Sequence, residues 1–227
     1  MLPTLAPALA QLRLIPAIIY AVKPKLYHHL SQTQPYFALP GTLTMYAHNI
    51  QEYGDIARLF DILLAREAVF SVYVFAQIVL QRSDELFNTP SDEPEILHSI
   101  LSKLPIPLDL ETLIPDTVEL FEQYPPEKLS EWRSISQSSV LKTTRWPDEV
   151  SKQSILDGEQ FFQKYVRELQ RAERREVLLR ALQKYRRPAV SVGLAILVGA
   201  VAVYLRRYPD FLGFFSVIIG RRYTQGQ

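Results

Sequence analysis

The 227-residue sequence predicts an all-α protein, and three features carry that prediction. Apolar residues recur at helical spacing through the first 133 positions, prolines punctuate the segments, and no stretch keeps a period of two or holds an Asn-Gly or Asp-Gly hairpin turn. Hydrophobic residues make up 48% of the chain and charged ones 22%, a balance that supports a packed core and excludes disordered and collagen-like classes. With no cysteine, disulfides, thiolate metal sites and thiol nucleophiles are excluded together. Eight glycines against sixteen prolines argue for short helices with proline-marked ends and against a glycine-rich phosphate loop.

Taken in order, Ile56, Leu59, Phe60, Leu63 and Leu64 are expected on one face of a first helix, and Val69, Val72, Tyr73, Ala76 and Val79 on the face of a second. Leu97, Ile100, Leu101 and Leu104 repeat the pattern, as do Leu110, Leu113, Ile114, Val118 and Phe121. Pro24, Pro35, Pro94, Pro105, Pro107, Pro125 and Pro126 stand where these helices start or stop. Residues 134–156 are rich in Ser and Thr, weakly apolar, and read as a linker. Residues 157–187 read as a long charged helix with Phe162, Tyr165, Val166, Leu169, Val177, Leu182 and Tyr185 as its apolar positions. Two roles stay open for that helix: contact with an anionic leaflet, at ~1 kcal/mol per basic residue close to the surface, or a solvated spacer.

Charge is split along the chain. Residues 1–163 carry a net −8 and residues 164–227 a net +9, leaving +1 overall. A basic tail of this kind meets either membrane or nucleic acid, and the uncharged run beside it points to membrane. Ala189 to Leu205 is free of charge, with Arg186 and Arg187 before it and Arg206 and Arg207 after. At ~1.5 Å rise per residue this run spans ~26 Å, near the thickness of an ER bilayer. It has no polar stripe, as a helix surrounded by lipid requires, so 188–205 is expected to be a transmembrane helix and no nucleic acid partner is expected. The excess of Lys and Arg before the span places residues 1–187 in the cytosol and 206–227 as a short lumenal tail. Without a basic n-region at the start, the layout is that of a tail-anchored protein. Phe211 to Gly220 is too short to span and is expected in the lumenal interface. Ala195 and Gly199 form a small-xxx-small pair that could let two spans touch.

The search for chemistry is negative. His28, His29, His48 and His98 offer no metal-ligand spacing, since neighbouring helical residues such as His28 and His29 point ~100° apart. No H-E-x-x-H, G-x-S-x-G or P-loop occurs. Asp92, Glu93 and Glu95 read as solvated loop acids, and Asp55, Asp61 and Glu67 as helix-end or surface carboxylates. No catalytic residue, cofactor or metal site is therefore assigned.

One run is more specific. Pro35 to Leu86 holds Arg58, Leu59, Phe60, Asp61, Ile62, Leu63 and Leu64 in the form R-[LI]-[WF]-D-x-[FLI]-L. It is followed by ILHSILSKLPIPLDLETLI (Ile96 to Ile114), LFEQYPPEKL (Leu120 to Leu129), the basic stretch and the apolar run, in that order. This resembles the C-terminal half of the TBC domain of Rab GTPase-activating proteins, and among them an ER-anchored subgroup. In sequence the resemblance covers roughly residues 1–135, and the remainder matches in layout. It implies residues 1–133 as a partial TBC domain, with Arg58, Phe60 and Asp61 as a structural motif, a Rab GTPase as partner, and an ER membrane location.

The family works by inserting an arginine finger and a water-positioning glutamine into the Rab, and an arginine finger is worth ~10³–10⁵-fold in rate. The resemblance places those residues in motifs I-x-x-D-x-x-R and Y-x-Q-G of the N-terminal half of the domain, and residues 1–133 hold neither. Arg58 belongs to the structural motif, and Arg13 lacks the aspartate three residues ahead, so neither is promoted to a finger. The expectation is a fragment that begins inside the domain, with Met1 an internal methionine and the fingers upstream. Its activity is then expected of the longer protein. The alternative is a catalytically silent, tail-anchored binding module built on the same lobe.

Overall fold

The computed structural model describes residues 5–207, with the side chains of 181–195 and 205 outside the description. Among the described residues all regular structure is helical, as the periodicity predicts. Two compact units divide between Glu168 and Leu169.

The first unit is built around one helix that is apolar on all sides. Helices α1 (Ala6–Leu12), α2 (Leu14–Val22) and α3 (Pro24–His29) are followed by a 3₁₀ turn at Pro35–Ala38 and by α4 (Leu39–Leu43) and α5 (Tyr53–Ala65). Then come α6 (Phe70–Gln81), α7 (Ser83–Phe87), α8 (Pro94–Leu101) and α9 (Leu110–Gln123). On α6, Phe70, Val72, Tyr73, Val74, Phe75, Ala76, Ile78 and Val79 are all buried, so this helix lies inside a ring of partners, chiefly α2 and α9. Val69, just before α6, and the four α6 positions expected inside are all buried, but so is the opposite face.

Two tyrosines close this core. Tyr46 is fully buried, stacks on Phe75, and donates its hydroxyl to the Ser71 carbonyl at 2.6 Å. Met45 and Tyr46 both have positive φ, 47° and 66°, a left-handed turn that side chains adopt at a cost of ~1–3 kcal/mol each. Gly41 lets α4 lie close to this corner, because an added Cβ would stand 3.3 Å from Phe75 and 3.4 Å from Tyr46. Tyr73 donates to the Tyr124 carbonyl at 2.6 Å, tying α6 to the end of α9.

Helix α5 departs from expectation at one position. Leu59 is buried, and Ile56, Phe60 and Leu63 are half-buried, but Leu64 is 77% exposed. At ~100° per residue Leu64 lies ~140° around the helix from Leu59, beyond the edge of the apolar face.

The larger departure is the expected linker, 134–156. It carries α10 (Val140–Thr143) and α11 (Pro147–Val150) and packs onto the domain. Ile135 and Leu141 join the core beside Trp132, and Ser138, Ser139 and Arg145 are buried. Lys142 Nζ donates to the Ile135 carbonyl at 2.6 Å, and Gln153 Nε2 to that of Thr143 at 3.1 Å. Helices of four residues are too short to display a period, which is why this packing left no pattern in the sequence.

Helix α12 (Ile155–Arg207) contains both the expected charged helix and the expected span. Its start is capped reciprocally: the Ser154 amide and hydroxyl donate to Asp157, and the Asp157 amide donates back to Ser154 Oγ. In the second unit Arg180 pairs with Glu176 one turn earlier, at 2.9 Å. Among the described residues no helix is long and apolar enough to cross a membrane. Part of Ala189–Leu205 lies outside the described side chains, as do those of Arg186 and Arg187, and the Phe211–Gly220 stretch lies outside the described residues. Arg206 and Arg207 end α12 and are exposed.

Candidate functional site

The residues that carry the sequence motif sit on α5. Leu59 anchors the helix in the core, which turns Arg58 outward to the first turn of α9, where it pairs with Glu111 at 3.2 Å. Both side chains are well exposed, 47% and 78%, so the pair fastens two helices weakly. Phe60 is half-buried and Asp61 exposed. Arg58 is thus engaged within the domain, in a bridging position.

At the far end of α5 lies a charged cluster that sequence reasoning missed. Arg145, from the expected linker, is 7% exposed. Its Nη1 donates to Glu67 at 2.9 Å and its Nε to Glu127 at 2.7 Å. The guanidinium also stacks on Trp146, 4.4 Å from the ring centre, and on Phe121 at 5.0 Å. Arg66 lies over the same Phe121 ring at 6.0 Å and over Phe70 at 5.2 Å. Three segments distant in sequence, the ends of α5 and α9 and the 134–150 stretch, are therefore held by one cation. Glu67, read as a surface acid, has a side chain only 12% exposed, and its Oε2 has no hydrogen-bond partner among the described residues. The only trace of this in the sequence is a lone Arg-Trp pair within a Ser/Thr-rich stretch.

A surface groove runs along α2. One cavity of about 180 Å³ lies between α2, α3 and the Pro35 turn, and an adjoining groove of about 630 Å³ runs to Lys128–Glu131. Arg13, Pro16 and Tyr27 line both. The walls are mostly aliphatic and aromatic with Arg13 at the junction, a surface suited to binding an apolar segment rather than to covalent chemistry.

Three of the four histidines have packing roles, and His48 is exposed. His29 Nε2 donates to the Leu86 and Thr89 carbonyls at 3.0 and 2.9 Å, with its ring edge-on to Phe87. His28 meets Tyr20 and Tyr27, and His98 meets Phe37. Among the described residues no group of three His, Asp or Glu side chains is placed to hold a metal ion.

Against known proteins, the chain is similar to GTPase activators. The chain is 35% identical over 175 residues to the GTPase-activating protein gyp10 of Schizosaccharomyces pombe, which covers 75% of this chain and 46% of that protein. It is 32% identical over 124 residues to TBC1 domain family member 20 of Homo sapiens, covering 54% of this chain and 30% of that protein. The Mus musculus protein of the same name matches at 32% over 124 residues. No family model matches the chain. These relatives bear out the resemblance read from the sequence: the chain is related to the TBC-domain GTPase-activating proteins, of the member 20 type. It spans less than half the length of the relatives it matches.

Proposed function

We propose that this chain is a lobe of a Rab GTPase-activating protein that stimulates GTP hydrolysis by a Rab of the ER–Golgi step. The observation that supports the reading most is the 35% identity, over three quarters of the chain, to a protein named as a GTPase activator. In this reading Arg58, Phe60 and Asp61 are structural members of the lobe, and the residues that enter the Rab come from the motifs I-x-x-D-x-x-R and Y-x-Q-G, which residues 1–133 do not contain. We further propose that Ala189–Leu205, flanked by Arg186, Arg187, Arg206 and Arg207, anchors the chain in the ER membrane with residues 1–187 cytosolic. An N-glycosylation acceptor appended after Gln227 is expected to be glycosylated in ER microsomes, and failure of that reaction would overturn the orientation.

The catalytic reading is tested with a chimera in which the segment of this chain that matches gyp10 replaces the corresponding segment of gyp10. In single-turnover GTP hydrolysis with a panel of Rab proteins, the chimera is expected to accelerate the reaction by ~10³-fold or more, and this chain alone to give no such acceleration. A chimera that folds, binds a Rab and leaves hydrolysis at the intrinsic rate would instead support the second reading. That reading is a catalytically silent binding module, favoured by the absence of both finger motifs from residues 1–133.

A further inference from the structure

We propose that Ser136 is a phosphorylation site for a basophilic protein kinase, and that its phosphate releases the first turns of α12 from the helical domain. These turns are lightly held: of residues 155–168 none is fully buried, and only Asp157, Phe161, Tyr165, Val166 and Glu168 are even half-buried. Their polar attachments include a clasp around Glu168 and a side-chain contact between Tyr165 and Ser139. Ser136 Oγ donates to Glu168 Oε2, and Ser138 Oγ donates to Oε1 at 3.3 Å. The Ser138 amide in turn donates to Ser136 Oγ at 3.0 Å, which fixes the hydroxyl that grips the carboxylate. Glu168 makes no ion pair among the described residues, and the side-chain donors it meets there are the two serine hydroxyls.

Phosphorylation inverts this clasp. The kinase transfers the γ-phosphoryl group of ATP to Ser136 Oγ, the hydroxyl proton leaves, and ADP departs. Glu168 then loses a donor and faces a group of charge ~−1.5 to −2 at neutral pH, so attraction becomes repulsion. Among the serines of the chain, Ser136 is the only one with an arginine three residues before it, Arg133, the spacing that basophilic kinases read. Arg133 is exposed and in no ion pair among the described residues, and Ser136 is half-buried. Ser138 and Ser139 are too buried to serve, and exposed Ser134 bonds the Glu131 carbonyl, away from Glu168.

The test uses the full chain in detergent micelles, an R-x-x-S-directed kinase catalytic domain and ATP. Mass spectrometry of fragments is expected to place phosphate on Ser136, and S136A to remove it. Amide exchange over residues 155–168 is expected to quicken ~10-fold or more in the phosphorylated chain and in S136E, with S136A staying near the unmodified chain. Adding E168Q to S136E is expected to restore protection, because the repelling carboxylate is gone. Absence of phosphate on Ser136 would overturn the proposal. So would exchange in S136E no faster than in S136A, or failure of E168Q to rescue.

Discussion

Replacing Arg145 with alanine removes one cation from beneath the surface and leaves the charges it neutralised behind. The side chain is 8% exposed and Glu67 12%, so their ion pair is largely shielded from water. Breaking a buried pair by deleting one partner costs ~3–5 kcal/mol, because the remaining charge is uncompensated. Here the stranded Glu67 already has one oxygen without a hydrogen bond. The second pair adds little, since Glu127 is 41% exposed and such pairs contribute ~0–1 kcal/mol. Loss of stacking on Trp146 and Phe121 adds ~0.5–2 kcal/mol. The total of roughly 6 kcal/mol corresponds to a fall in Tm of roughly 12–24 °C for a domain of this size. Urea unfolding followed by tryptophan emission is well placed to measure it, because of the only two tryptophans Trp132 immediately precedes this segment and Trp146 lies within it. Arg145→Met with Glu67→Gln is expected to recover most of the loss, as the double change strands no charge. A loss below ~1 kcal/mol for R145A, or a double variant no better than the single, would refute the claim that this pair holds the 134–150 stretch in place.

Three more outcomes are expected. A chain ended after residue 133 loses Ile135 and Leu141, 4% and 3% exposed, each worth ~1.5–3 kcal/mol of burial, so it should melt broadly and well below a chain ended after Glu168; differential scanning calorimetry decides. Burial holds the hydroxyls of Tyr46 and Tyr73 protonated well above their ordinary value of 10.0, whereas the unfolded chain releases those protons near it. Their contribution is therefore present below pH ~10 and lost as pH rises beyond that, and Y46F should weaken the alkaline unfolding followed by circular dichroism. At neutral pH Y46F should cost ~1–3 kcal/mol, because the Ser71 carbonyl loses its donor. R58A, by contrast, should change stability by less than ~1 kcal/mol in the same urea assay, since Arg58 and Glu111 are both exposed.

The helices with long apolar repeats were legible in advance. Val69 to Val79 and Leu110 to Phe121 repeat over several turns, and their expected inward positions are buried or half-buried in the structure. The kinship was legible too, because Arg58–Leu64 and the Ile96–Ile114 run are contiguous strings that can be matched without knowing where they fold. Leu64 shows the limit of that reading, since a position at the rim of a helical face is buried or exposed according to what packs beside it.

Where the domain ends was a different matter. Sequence alone determined the helical class, the split of charge between the two parts of the chain, and the uncharged run from Ala189 to Leu205. Only the tertiary structure decided that 134–150 belongs to the core, that Glu67 is shielded, and that Ser136 and Ser138 clasp Glu168. The reason is the range of the interactions. Periodicity records contacts between each residue and one continuous neighbour surface, whereas Arg145 meets a partner 78 positions away, and Ser136 one 32 away, through single side chains that repeat nothing.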